Sequence, residues 1–114
     1  MSRITTHVLD TARGLPAAGV AVVLDYRSDS GDWMELARGT TNADGRISDL
    51  LADGAVLRPG VYRLRFATGN YFLSLGLRGF YPEVQVMVSL EDPAAHYHIP
   101  LLLSPYGYST YRGS

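Results

Sequence analysis

Side-chain character alternates with a period of two along GVYRLRFAT, residues 60–68: Tyr62, Leu64 and Phe66 fall on one face, Arg63 and Arg65 on the other. Successive side chains of a strand point to opposite faces, so this pattern suits a half-buried antiparallel strand. Residues 83–90 repeat it, with Val84, Val86, Val88 and Leu90 set against Gln85, Met87 and Ser89. Weaker alternation marks strands over residues 4–11, 20–27, 33–41, 46–50, 96–104 and 106–112. Turn chemistry separates them: Arg13-Gly14-Leu15-Pro16, Asp29-Ser30-Gly31-Asp32, Asn42-Ala43-Asp44-Gly45 and Pro59-Gly60. Short strands punctuated at this rate predict an all-β sandwich, and residues 71–77 are the one stretch with helical character.

With 114 residues, 46% of them apolar and 18% charged, the chain can bury one core without metals or disulfides. No linker or repeat divides it, so residues 1–114 read as a single domain. The net charge of -1 leaves no positive excess to neutralise phosphates, which argues against nucleic acid as a partner. Absence of cysteine rules out disulfides, thiolate metal sites and cysteine nucleophiles. The opening MSRITTHVLD lacks the apolar stretch of a signal peptide and no run is long enough to span a bilayer, so no membrane partner and a cytoplasmic location are expected.

The far end, HYHIPLLLSPYGYSTYRGS, is unusual. Chain termini ordinarily fray into polar residues because nothing repays the entropy of ordering them. Here Ile99, Leu101, Leu102 and Leu103 place apolar side chains on both faces of one strand. Such a strand needs a cover on its outer face, and a second copy of the chain is the expected one, with a local loop or helix as the alternative.

Three histidines are candidates for chemistry: His7, His96 and His98. His-x-His on a strand puts both imidazoles on one face, a spacing that ligates a transition metal if His7 supplies a third donor. The same groups serve without metal as acid and base, since imidazole titrates near neutrality. His7, set among Ile4, Val8 and Leu9, is by itself a structural position; it gains a catalytic meaning if His98 and a charged group converge on it. Arg46, just after the Asp44-Gly45 turn, could grip a planar substrate or stabilise an oxyanion; alone it reads as a solvated arginine.

The stretches GLPAAGVAVVLDY, TTNADGRISDL and PGVYRLRFATGNYF resemble the general plan of transthyretin-like and carboxypeptidase-regulatory-like modules, mostly binding or structural sandwiches. The ends discriminate. HVLDTARGLPAAGV, FYPEV and above all HYHIPLLLSPYGYSTYRGS, ending in Tyr111-Arg112-Gly113-Ser114, resemble the 5-hydroxyisourate hydrolase branch of the transthyretin-like family. That resemblance implies two four-stranded antiparallel sheets with one short helix, a homotetramer built as a dimer of dimers, and active sites in the channel where dimers meet. The implied substrate is 5-hydroxyisourate, a product of urate oxidation, whose cyclic amide is hydrolysed with neither metal nor cofactor. Carried over by motif, His7, Arg46 and His98 are the catalytic set, and Tyr111, Arg112, Gly113 and Ser114 bind substrate or close the pocket. In that scheme His7 and His98 bracket the carbonyl, Arg46 takes up negative charge, and Ser114 hydrogen-bonds to a histidine or to substrate. His96, on the His98 side by alternation, has a supporting place at most. The alternative function is a non-catalytic transthyretin-like module that binds a small aromatic ligand.

Overall fold

The computed structural model describes residues 2–114. Its strands are β1 (Ile4–Asp10), β2 (Leu15–Pro16), β3 (Ala21–Arg27), β4 (Trp33–Thr40), β5 (Arg46–Ile47), β6 (Gly60–Phe66), β7 (Val84–Leu90), β8 (Tyr97–Ser104) and β9 (Gly107–Thr110), with one helix, α1 (Thr68–Ser74), after β6. One sheet runs β2-β1-β8-β9, with β5 also paired to β1, and the other runs β4-β3-β6-β7. Alternation explains the packing: Tyr62, Leu64 and Phe66 of β6 and Ile4 and Val8 of β1 are essentially inaccessible and meet Leu101 and Leu103 of β8 between the layers. Full burial of each such side chain stabilises the fold by roughly 1.5–3 kcal/mol. Among the described residues, no helix is long and apolar enough to cross a membrane.

Three details differ from the sequence reading. The first sheet has five strands, and β1 pairs with β8 in parallel, Thr5 opposite His98 and His7 opposite Pro100. Period-two patterning reports which face of a strand is buried; it is silent on the direction of the neighbour. The strand expected over residues 46–50 stops at Ile47, because the chain turns there to bury Leu50 and Leu51 in the core. The helix begins three residues earlier than expected, at Thr68, whose hydroxyl donates to the Tyr81 carbonyl. It ends in a Schellman motif: Gly76 adopts φ 73° and donates to Leu73 O at 3.0 Å, while Leu77 donates to Phe72 O at 2.9 Å.

The strand β1 is the spine on which the candidate residues hang. Its even-numbered side chains face the core, Ile4, Thr6, Val8 and Asp10 all being buried, so Thr5, His7 and Leu9 share the outer face. Buried polar groups on the inner side are satisfied. Thr6 Oγ1 donates to Ile99 O at 2.6 Å, and Asp10 accepts from the Tyr71 hydroxyl at 2.7 Å and the Arg13 N–H at 3.1 Å.

Candidate active site

The outer face of the first sheet collects titratable groups from three elements. On β1, the register that sets Thr5 against His98 of β8 also sets His7 against Arg46 of β5. The Asn42–Arg46 turn delivers Arg46. Asn42 Oδ1 accepts from the Asp44 and Arg46 N–H groups at 2.9 and 3.0 Å, closing the turn on itself. Gly45 takes φ 75° there, and a Cβ at that position would collide with the Val8 carbonyl, so only glycine lets the turn lie this close to β1.

Each imidazole is held at one nitrogen. His7 Nε2 lies 3.0 Å from the Asp44 carbonyl oxygen. A carbonyl only accepts, so Nε2 carries the hydrogen and neutral His7 presents Nδ1 as its lone pair. His98 Nδ1 lies 2.8 Å from Thr5 Oγ1, which leaves Nε2 as the nitrogen available to chemistry. His98 is half-buried. Burial lowers its pKa below the ordinary imidazole value, and the charges of Arg46, His7 and His96 add to the effect. It is therefore neutral at neutral pH and able to accept a proton. Exposed Arg46 supplies the fixed positive charge beside it.

The terminus reaches the same place. Beyond β9 the chain returns to β8, where Gly113 forms an antiparallel bridge with His98 and donates its N–H to His98 O at 2.8 Å. A Cβ on Gly113 would stand 2.6 Å from His98 Cδ2 and 3.3 Å from Pro100 Cγ, so the closing segment rests directly on the imidazole.

The other expected wall residues sit elsewhere. Arg112 stacks its guanidinium over the Tyr97 ring at 4.7 Å, and together with Tyr111 and Tyr97 it lines a cavity of about 320 Å³ bounded by β7. Tyr97 points inward from β8, so this cavity opens on the core side of the sheet. Ser114 is exposed, and among the described residues its side chain makes no hydrogen bond to a histidine. One chain thus brings together His7, Arg46, His98 and Gly113, but not Tyr111 and Arg112, on a single face. Among the described residues, no three His, Asp or Glu side chains are grouped so as to hold a metal ion.

The family model described as HIUase/Transthyretin matches residues 4–113. The chain belongs to the HIUase/Transthyretin family. A relative in that family, the 5-hydroxyisourate hydrolase of Salmonella typhimurium, is 50% identical over 111 residues, covering 97% of this chain and 80% of its own. Among solved structures, the Klebsiella pneumoniae 5-hydroxyisourate hydrolase superposes with a TM-score of 0.85 at 39% identity, covering 97% of this chain and 98% of its own. Sea bream transthyretin in complex with thyroxine superposes with a TM-score of 0.91 at 32% identity, covering 98% and 95%.

Two members of the site in this HIUase/Transthyretin chain escaped the sequence reading. Thr5, only 6% exposed, touches both His98 and His96, whose Nε2 lies 3.1 Å from the same hydroxyl. Alternation puts Thr5 on the His7 face; its meeting with residues more than ninety positions away depends on the parallel register. Asn42, which aims Arg46, carried a signal as a turn former but none for its particular hydrogen bonds.

Proposed function

We propose that this chain hydrolyses 5-hydroxyisourate, opening the cyclic amide to an imidazoline carboxylate. The observation that carries the reading is the half-buried imidazole of His98, its pKa lowered by burial, on one face with His7 and Arg46, in a chain half-identical to proteins named for this reaction. Water attacks an amide carbonyl poorly, so a catalyst must supply a base, stabilise charge on the oxygen and fix orientation. His98 Nε2 is suited to take the proton of the attacking water. Arg46 is suited to bind the polar edge of the ring and take up the negative charge that develops on its carbonyl oxygen. His7, fixed through Nε2, is suited to hold the opposite side of the ring. The closing segment, Tyr111 to Ser114, would wall the pocket.

The active form in this reading is a homotetramer, a dimer of dimers. Half-exposed Leu9 and Leu102 flank the histidines on the outer face, where a second copy would cover them and turn an open face into a water-poor channel. Tyr111 and Arg112, which one chain holds away from the histidines, would then have to meet substrate through the assembly.

The test is the decay of freshly generated 5-hydroxyisourate, followed by absorbance against its spontaneous background. Wild-type protein should accelerate it, and His98→Asn should remove about 10² to 10⁴ of the rate with the fold retained. No acceleration by the wild type would favour a binding module for a small aromatic ligand.

A further inference from the structure

We propose that Thr5 is a positioning residue that locks the tautomers of His96 and His98 together and lets His98 exchange a proton with solvent through His96. The proposal rests on the hydrolase reading above and adds to it. Thr5 Oγ1 stands 2.8 Å from His98 Nδ1 and 3.1 Å from His96 Nε2. A hydroxyl has one hydrogen, so it donates to one of these nitrogens and must accept from the other. Only two neutral arrangements satisfy all three groups. In the first, His98 Nδ1–H donates to Thr5, Thr5 donates to His96 Nε2, and His98 Nε2 is a free base. In the second, Thr5 donates to His98 Nδ1, His96 Nε2–H donates to Thr5, and His98 Nε2–H is an acid. Both rings carry hydrogen on Nδ1, or both carry it on Nε2.

The pairing resolves an electrostatic difficulty. The charged groups that bear on His98 are Arg46 from β5, His7 from β1 and His96 from the chain leading into β8, while the terminus approaches through uncharged Gly113. Burial and three cationic or protonatable neighbours all disfavour an imidazolium at His98. The relay lets it move a proton without holding one in excess. As the O–C bond forms, His98 Nε2 takes a proton from water, its Nδ1 proton passes to Thr5, and the Thr5 proton passes to His96 Nε2. His96 is exposed and releases its Nδ1 proton to bulk water. When the ring C–N bond breaks, His98 Nε2–H goes to the leaving nitrogen and the same path runs backward, His96 regaining a proton from water. The charge appears on the solvated ring, and His98 serves as base and then as acid. The second water proton leaves when the new carboxylic acid ionises.

The test joins spectroscopy with kinetics on the intact protein. Nitrogen-15 NMR of the imidazoles without substrate should show His96 and His98 in the same neutral tautomer. T5V removes the hydroxyl at nearly constant shape; it should uncouple the two rings and lower kcat about 10- to 100-fold, the loss that removing an orienting partner brings to metal-bound histidines, with little change in KM. T5S should restore the shared tautomer and most of kcat. Opposite tautomers in the wild type, or a T5V protein with undiminished kcat, would overturn the proposal. Failure of the wild type to hydrolyse 5-hydroxyisourate would instead overturn the hydrolase reading, with the tautomer result still judging the coupling.

Discussion

Gly113→Ala asks the most of the site's geometry. Carbon atoms in good contact sit about 3.5–4.0 Å apart, and the new methyl would start 2.6 Å from His98 Cδ2. The shortfall is about 1 Å by that contact distance. Thr5 holds the ring on its other side, so either His98 is displaced by that amount or the terminal segment lifts and breaks the Gly113 N–H bond to His98 O. A misplacement of about 1 Å costs on the order of 10²-fold in rate, or about 2.7 kcal/mol of transition-state stabilisation. Global stability should suffer much less, because one exchanged hydrogen bond is worth about 0.5–1.5 kcal/mol. The assay is kcat/KM for 5-hydroxyisourate decay beside a thermal melt. Gly107→Ala is the control from the same hairpin, since its Cβ would meet only Ser104 Oγ at 3.7 Å. A Gly113→Ala enzyme with wild-type kcat/KM would refute the view that the terminus seats His98.

The depressed pKa of His98 sets the sign of two pH effects. The acid limb of kcat/KM should fall below the ordinary imidazole value of about 6.5, and His98→Asn should abolish that limb in whatever rate remains. Stability should decline as pH drops from about 6.5 to the folded-state pKa, because the unfolded chain binds the proton first, and then level off; urea unfolding of wild type and His98→Asn across that window checks it. Tyr71→Phe removes the 2.7 Å hydrogen bond to buried Asp10 and should cost about 1–3 kcal/mol in denaturant unfolding. That variant leaves the outer face untouched, so its turnover below the melting range should match wild type.

How much of this was legible in the sequence follows from what alternation encodes. It located β6 and β7 nearly to the residue, because their inner side chains from Tyr62 and from Val84 onward are apolar while the outer ones are mostly polar, Val61 and Met87 being the exceptions. It put His96 and His98 on one side for the same reason. It could not pair strands. The contacts that make a site of scattered residues, His7 beside Arg46 and Thr5 beside His98, are facts of register between distant segments. Of the terminal motif, Gly113 lies against His98, and its lack of a side chain is what that approach demands. Arg112 shares that motif, yet its stack on Tyr97 turns it toward the edge of the core, where exposed Tyr111 also borders the cavity. A tetrapeptide contiguous in sequence is thus divided between two sides of one strand.

The parallel seam between β1 and β8 joins two segments that lie far apart along the chain. Thr5 and His98 are separated by 93 positions, and the whole second sheet and the helix are synthesised between them. Loop closure over such a distance is slow and gains nothing until both strands are present. A nascent chain can assemble β3, β4 and β6 early, but β1 must wait with its buried edge uncovered. A product terminated before β8 would leave that edge of β1 unpaired and prone to aggregation.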